Sequence, residues 1–441
     1  MRDELYLLWQ MKKAEDKQMT CGSIKVFQEN GKYLVINGDV PAWIVTNAMG
    51  VYLVQLYASY KDEVKACEMF LSKFPQAKKV SLMRFLKEVM DAGLFSCTGK
   101  FNHHHPYPLG AVYLNVTRAC NLKCSYCFAS EREEHGTQDL SLEEFKGIID
   151  QIARLGHPEI ILTGGEPMVS SVTLPLARYI KKLHMTVKLL TNATLIDGKN
   201  VDAIAETFDS VKISLDGSSK ERHDFYRGAG SYHRTLKAIE LLEERNANIL
   251  IAMVVTRQNV DDVAAMSRLW GNRLIFQPLF SMGRAVQGEK NLSLTGKEYY
   301  QALCQCANIN PYMDVENVIA SHERNHSILK CAIGDGEISI SCTGDVYPCQ
   351  LMHNKEAYIG NVREQPLQEI YESKRMRAFQ KLTVDKMKGC KDCVFRYLCG
   401  GACHARHYSE TYDLYQAGRF CEYEQLGIVH GILSNYELIT I

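Results

Sequence analysis

Between residues 111 and 307, short apolar runs alternate with amphipathic helical patterns, and this alternation restricts the fold of the 441-residue chain more than any other feature. The runs are Tyr113 to Val116, Ile160 to Leu162, Val187 to Leu190, Val211 to Leu215, Ile249 to Val255 and Leu274 to Phe276. After the first run, Ser141-Leu142-Glu143-Glu144 has the form of a capping box, and Leu142, Phe145, Ile149, Ile152 and Leu155 recur on one helical face. Further helical patterns lie near 171–184, 197–207, 231–245 and 260–270. Six strand–helix units demand a parallel sheet with right-handed crossovers. The expected class is α/β, an open (β/α)6 barrel whose functional groups gather at the carboxyl ends of its strands.

The polar motifs fall at those strand ends. The first strand runs into Cys120-Asn121-Leu122-Lys123-Cys124-Ser125-Tyr126-Cys127, a Cys-x3-Cys-x2-Cys loop. Three thiolates on one short loop can hold three irons of a cubane and leave the fourth open to a substrate, so the loop reads as a catalytic cluster. A structural zinc knuckle is the alternative, but no fourth Cys or His stands nearby to close a tetrahedron. Thr163-Gly164-Gly165-Glu166-Pro167 ends the second strand, where the glycines let backbone approach a ligand and Glu166 can accept from an ammonium. Thr191-Asn192 ends the third and Ser214-Leu215-Asp216-Gly217 the fourth, followed by His223-Asp224-x-x-Arg227-Gly228.

Together these motifs resemble the radical S-adenosylmethionine (radical SAM) superfamily, whose signature is this cysteine spacing with an aromatic residue, here Tyr126, before the last cysteine. The resemblance implies a partial TIM barrel. It implies that the open iron takes the methionine moiety of S-adenosylmethionine, and that an electron from the reduced cluster releases a 5′-deoxyadenosyl radical. It assigns Gly164, Gly165 and Glu166 to the methionine amino group, and Ser214 and Arg227 to the ribose and carboxylate, with Tyr126 and Asn192 in the same cofactor site. A guanidinium suits that carboxylate, which it can grip through two parallel hydrogen bonds.

Residues 308–441 carry a second constellation. Cys331 and Cys349 bracket Gly344 as Cys-x12-Gly-x4-Cys, and Cys390, Cys393, Cys399 and Cys403 precede a final Cys421. The intervals resemble the SPASM extension of radical SAM enzymes, which carries two auxiliary iron–sulfur clusters. The family's connectivity implies Cys331, Cys349 and Cys403 for the first and Cys390, Cys393, Cys399 and Cys421 for the second, three 4Fe–4S clusters in all. A pair of zinc sites is the alternative on spacing alone. The first auxiliary site is one ligand short. Cys342, at the turn of an expected hairpin of Ile338–Ile340 and Asp345–Tyr347, is one candidate; an open iron or a ligand from elsewhere are the others. Sulfatase-maturing members of the superfamily place an aspartate base directly after the cysteine equivalent to Cys349. Here Gln350 stands there, and an amide cannot take the proton.

Residues 1–96 read as a separate domain. Ile24–Gln28 and Lys32–Ile36 flank Asn30-Gly31, a turn dipeptide for a tight hairpin. Three helical patterns follow, the clearest with Leu82, Phe85, Leu86 and Val89 on one face, Ser81 as N-cap and Gly93 as terminator. A hairpin with three helices resembles the winged-helix-like leader-recognition domain of ribosomal-peptide maturases, which holds a leader peptide as an added strand. Residues 97–110, with Pro106, Pro108 and Gly110, read as a linker whose His103, His104 and His105 are solvated. Lysine plus arginine equals aspartate plus glutamate at 51 each, so no global field recruits nucleic acid or anionic lipid. No signal peptide or membrane span is expected, and sixteen cysteines at short spacings in a cytoplasmic protein point to metal rather than disulfides. Of the remaining cysteines, Cys304 or Cys306 near the end of the barrel is a candidate thiol hydrogen donor.

The resemblance therefore implies a peptide maturase resembling thioether-forming sactipeptide and ranthipeptide synthases. Such an enzyme takes electrons from an external flavodoxin or ferredoxin, abstracts a hydrogen from a precursor peptide and closes a crosslink, here a cysteine thioether. Carbon–carbon crosslinking, epimerisation, a tetrapyrrole-type small-molecule oxidase or decarboxylase, and a non-catalytic electron carrier or zinc scaffold are the alternatives.

Overall fold

Asn30 and Gly31 both take positive φ, 51° and 79°, and fold β1 (Ile24–Glu29) onto β2 (Lys32–Asn37) with Glu29 opposite Lys32. The structure, a computed structural model, describes residues 24–96, 102–103, 108–131, 138–286, 292–306 and 326–441. Strand β3 (Ala42–Thr46) adds antiparallel to β2, and α1 (Ala48–Tyr60), α2 (Glu63–Lys73) and α3 (Lys79–Asp91) follow. Asn47 and Asp62 cap the first two helices. The third differs from expectation at its start: Ser81 donates its backbone N–H to Lys78 O, so it lies inside the first turn and Lys78 takes the cap position. Gly93, at φ 75°, ends the helix as its sequence position suggests.

The hairpin sheet is buried on both faces. Ile24, Val26, Val35 and Ile44 point to the three helices, where they meet Leu82, Phe85, Leu86 and Val89. Phe27, Leu34, Ile36, Trp43 and Val45 point the other way, onto Val394, Phe395, Leu398, Ile428, Ile432 and Leu433 of the cysteine-rich C-terminal region. Ring pairs Phe27–Phe395 at 4.9 Å and Trp43–Tyr436 at 4.6 Å mark the contact. The outer edge of β3 is also taken: Ile439 N–H donates to Val45 O at 2.9 Å and Thr46 Oγ1 to Ile439 O at 2.7 Å. The amino-terminal unit thus has a core of its own and also packs against the cysteine-rich region.

Asn102–His103 (β4) pairs in parallel with His326–Ser327. The rest of the expected linker through Tyr107, with His104 and His105, lies outside the described residues, as do Cys21 and Cys97.

The barrel strands are β5 (Ala111–Asn115), β6 (Glu159–Thr163), β7 (Val187–Thr191), β8 (Ser210–Ser214), β9 (Ile249–Val255) and β10 (Leu274–Pro278), each parallel to the next. Between them run α4 (Leu142–Arg154), α5 (Thr173–Lys182), α6 (Val201–Thr207), α7 (Lys220–Arg227), α8 (Ser231–Glu243) and α9 (Val263–Trp270). The capping box is present: Ser141 N–H donates to Glu144 Oε2 at 2.8 Å, and Glu144 N–H donates to Ser141 Oγ at 3.3 Å. Helix α7 gives no apolar periodicity in sequence because it is almost wholly polar; the Ser219 cap and Gly228 at φ 99° delimit it.

The sheet does not stop at six strands. After α10 (Gly296–Leu303) and β11 (His326–Ser327), β12 (Glu337–Ile340) joins the outer edge of β5 in parallel, with Ile340 opposite Leu114. Strands β13 (Asp345–Tyr347) and β14 (Gly360–Asn361) continue antiparallel, for a nine-stranded sheet. Ile338 and Ile340 enter the barrel core, so the cysteine-rich region and the barrel share one hydrophobic interior. Among the described residues no helix is long and apolar enough to cross a membrane.

Deleting residues 1–96 would uncover the apolar face formed by Val394, Phe395, Leu398, Ile428, Ile432 and Leu433. At about 1.5–3 kcal/mol for each large apolar side chain returned to water, the truncated chain is expected to aggregate in size-exclusion chromatography. A monodisperse truncated protein with an unchanged melting temperature would contradict the double-sided burial.

Candidate active site and iron–sulfur centres

The Cys120 loop is held by backbone. Gly165 N–H donates to Thr117 O at 2.8 Å and Glu166 N–H to Ala119 O at 2.9 Å, laying the loop over the end of β6. A Cβ on Gly164 would stand 2.4 Å from Thr117 O, and one on Gly165 2.3 Å from Ala119 O. The glycines therefore admit the cluster loop itself, where the sequence had suggested a ligand; both still border the cavity described below. Glu166 is buried and largely committed. It accepts from Thr191 Oγ1 at 2.6 Å, Asn192 N at 2.8 Å and Met168 N at 3.1 Å, and burial raises its carboxyl despite these bonds. An ionised carboxylate has about four acceptor sites, so one remains for an ammonium. Asn192 braces the loop, donating from Nδ2 to Asn121 Oδ1 at 3.0 Å.

Opposite these, Arg227 and Tyr126 form a buried knot with Asp216. Arg227 Nε and Tyr126 OH both donate to Asp216 Oδ2, Arg227 Nη2 donates to Tyr126 OH at 2.8 Å, and Val254 N–H donates to Asp216 Oδ1 at 2.9 Å. Burial raises the Cys120 and Cys124 thiols, and the nearby Arg227 charge opposes that rise. Arg227 thus favours the thiolates of Cys120 and Cys124 as well as lining the cavity. Ser214 ends β8 on the same cavity wall.

Sequence reasoning missed three supports. Asp216 was visible only as part of a strand-end motif, although two buried donors converge on it. Gly283 and Arg284, beyond the last barrel strand, buttress the loop: Arg284 donates from N to Cys127 O at 3.1 Å and from Nε to Cys124 O at 2.8 Å. A Cβ on Gly283 would lie 2.4 Å from Cys127 O. Neither residue belongs to a recognisable spacing pattern.

One cavity of about 1310 Å³ runs from Cys120, Cys124 and Cys127 past the strand ends to Cys331, Cys349 and Cys403, and touches Cys399. The structure brings the auxiliary cysteines together in two groups. Cys331 and Cys349 each lie within electrostatic reach of Cys403, and burial first, then Cys403, pushes Cys331 up to about 12. Cys390, Cys393, Cys399 and Cys421 form the other group; burial and neighbouring thiols push Cys421 up to about 12 and Cys390 to about 11. Cys342 is fully buried at the turn after β12 and does not line the cavity. Cys304 is exposed and Cys306 is buried against Val263 O, and neither borders the cavity, so the expected thiol donor has no place there.

These groups fit iron–sulfur chemistry. Buried thiols that raise one another need a cationic partner to stay deprotonated. Backbone donors are already aimed at two sulfurs, Leu122 N–H to Cys120 Sγ at 3.4 Å and Leu351 N–H to Cys349 Sγ at 3.4 Å, and His404 Nδ1 shares a hydrogen bond with Cys331 Sγ at 3.3 Å. Such hydrogen bonds tune cluster potentials. Among the described residues no three His, Cys, Asp or Glu side chains converge on a single-ion site. Gln350, where an aspartate base was ruled out, is fixed by reciprocal 3.3 Å amide bonds with Asn115 and accepts from Ser339 Oγ at 2.8 Å.

The family described as the radical SAM superfamily matches residues 114–269, and the SPASM iron–sulfur cluster-binding domain matches 331–394. An AdoMet-dependent heme synthase of Oleidesulfovibrio alaskensis is 30% identical over 70% of this chain and 86% of its own. The antilisterial bacteriocin subtilosin biosynthesis protein AlbA of Bacillus subtilis is 30% identical over 70% of each chain. In fold, the chain is similar to Streptococcus suis SuiB bound to its precursor peptide SuiA, with a TM-score of 0.55 at 15% identity, covering 90% of this chain and 98% of that one. That share cannot be met without the amino-terminal unit. The chain belongs to the radical SAM superfamily and carries a SPASM domain, which makes it an iron–sulfur, S-adenosylmethionine-dependent enzyme.

Gly165→Ala is expected to force the Cys120 loop off β6 at a cost of about 1–3 kcal/mol. Iron analysis should show loss of the iron held by that loop with auxiliary iron retained. Full iron content and an unchanged melting temperature would show that the close approach is not needed.

Proposed function

We propose that the chain is a radical SAM peptide maturase that closes an intramolecular crosslink, a cysteine thioether, in a ribosomally made precursor. The observation that carries this reading is the single cavity that joins the Cys120 loop to Cys331, Cys349 and Cys403. When loaded, the Cys120 loop supplies reductive cleavage of S-adenosylmethionine to a 5′-deoxyadenosyl radical, and the two C-terminal cysteine groups supply an acceptor for the electron that a closing crosslink releases.

The chain's own residues then have defined tasks. Cys120, Cys124 and Cys127 hold the catalytic cluster, with Arg227 favouring the thiolate forms of Cys120 and Cys124. Glu166 offers its remaining acceptor site to the methionine ammonium, Arg227 and Ser214 face the carboxylate and ribose, and Tyr126 and Asp216 fix the guanidinium. Cys331, Cys349 and Cys403, and Cys390, Cys393, Cys399 and Cys421, hold two auxiliary clusters. An external flavodoxin or ferredoxin supplies the reducing electron.

The leader of the precursor adds as a strand to the amino-terminal sheet. Ile439 already occupies β3, and among the described residues no strand pairs with the outer edge of β1, so β1 is the docking edge. A peptide substrate is supported by the relative AlbA and by the likeness in fold to SuiB over the amino-terminal unit as well.

A second reading, a small-molecule oxidase or decarboxylase, is favoured by Lys212. It lines the cavity, has no carboxylate partner among the described residues, and would suit an acidic substrate; burial and Lys188 lower its ammonium. The relative named as a heme synthase fits this alternative.

Mass spectrometry of a precursor encoded beside the gene, after anaerobic reaction, separates the readings. The expected product has lost two hydrogens, one to the deoxyadenosyl radical and one as a proton and an electron, and its joined cysteine no longer alkylates. Unchanged mass with an inverted stereocentre would mean an epimerase. Two-hydrogen loss with every cysteine free would mean a carbon–carbon bond, and an unmodified peptide would favour the small-molecule reading.

A further inference from the structure

We propose that Lys212, inside the barrel, anchors a carboxylate of the substrate and so decides which of its carbons are presented to the cofactor. The proposal rests on the reading of this cavity as the substrate site, and not on whether the substrate is a peptide. An Asp or Glu side chain, a peptide terminus and a small-molecule acid all offer the same group.

Strand β8 alternates. Val211 and Ile213 belong to the apolar core, while Lys212 and Ser214 line the cavity. Lys212 stands opposite Leu190 of β7 and Leu250 of β9, and Leu190, Ala252 and Val254 from these flanking strands line the same cavity. Apolar walls offer an ammonium no acceptor, and a charge held there without a partner is costly.

The carboxylates on the neighbouring strands are engaged elsewhere. Glu159 holds Lys188 Nζ at 2.5 Å, Glu166 accepts from Thr191, Asn192 and Met168, and Asp216 accepts from Arg227 and Tyr126. Among the described residues no hydrogen bond or ion pair reaches Lys212 Nζ. Burial and then the Lys188 charge lower its ammonium, and no acid opposes either effect. An anionic group arriving with the substrate would be the first partner of this charge, and shielding from water strengthens such a pair.

The position also orients the substrate. Lys212 precedes Ser214 by two residues, about 7 Å along the strand, and Ser214 is the residue assigned above to the ribose. A carboxylate held by Lys212 turns the carbons beside it toward that end of the cavity, where the abstracted hydrogen is taken. A neutral substrate of the same shape would lose the anchor.

The test measures binding to the anaerobically loaded full chain without reductant, so no turnover enters. Two acids are used: the core segment of the precursor encoded beside the gene, followed by fluorescence anisotropy, and coproporphyrin III, a tetracarboxylate, followed by absorbance. Lys212→Met should bind at least one of them about 10–100-fold less tightly than the parent does, and Lys212→Arg, which keeps the charge, should stay close to the parent. With the carboxylates of that ligand converted to amides or methyl esters, parent and Lys212→Met should bind alike. A residue that only shaped the cavity would affect acid and neutral ligand equally. Equal loss for both forms, or no loss with either acid, would overturn the role of Lys212. If Lys212→Met does not fold, the parent decides: a preference of tenfold or more for the acid over its neutral form supports the anchor, and equal binding overturns it. The arm that responds names the source, so a response to the porphyrin alone would count against the peptide reading while upholding Lys212 as the carboxylate anchor.

Discussion

The parallel ladder between β5 and β12 is the contact on which the rest of the molecule depends. Strand β5 leads into the Cys120 loop, and β12 begins with Glu337 and leads through the hairpin to Cys349. Pairing them fixes one cysteine-bearing segment against the other with backbone hydrogen bonds. The amide pair of Asn115 and Gln350 locks the same junction from inside the barrel. A hinge at this point would let the two metal-binding regions drift. A shared sheet and a shared apolar core hold both at opposite ends of one cavity.

Around that frame, charge is placed where burial would otherwise forbid it. Arg227 is tolerated in the interior because Asp216 and Tyr126 bind it on one side while thiols stand on the other. Burial draws Cys331 and Cys421 toward the protonated state, so metal binding there is coupled to proton release. The amino-terminal sheet covers the outside of the cysteine-rich region, with Cys393 and Cys399 packed beneath Phe27 and Trp43 and their neighbours. The leader-docking edge proposed for β1 therefore lies beside the Cys390, Cys393, Cys399 and Cys421 group.

Much of this was legible in the chain, for physical reasons that differ by element. The barrel strands could be read because a sheet covered on both faces needs unbroken apolar runs such as Ile249–Val255. The Cys120 loop and the seven C-terminal cysteines stood out by their short spacings, and the structure brings them together in three groups. What stayed hidden depends on contacts between distant segments. Nothing in Gly283-Arg284 signals that it braces Cys124 and Cys127, and nothing in Phe27 or Trp43 says what covers the far face of their sheet. The role of Gly164 and Gly165 was half visible: the need for close approach follows from two glycines, but the approaching group proved to be the cluster loop. Helix α7 escaped because polar residues leave no periodic signature.

The central claim is that Cys120, Cys124 and Cys127 hold the cluster that cleaves S-adenosylmethionine. Anaerobically reconstituted protein given S-adenosylmethionine and a strong reductant should release 5′-deoxyadenosine and methionine. The variant with those three cysteines replaced by alanine should release neither while keeping its auxiliary iron. Cleavage by that variant at the rate of the parent, or zinc in place of iron in the parent, would contradict the account.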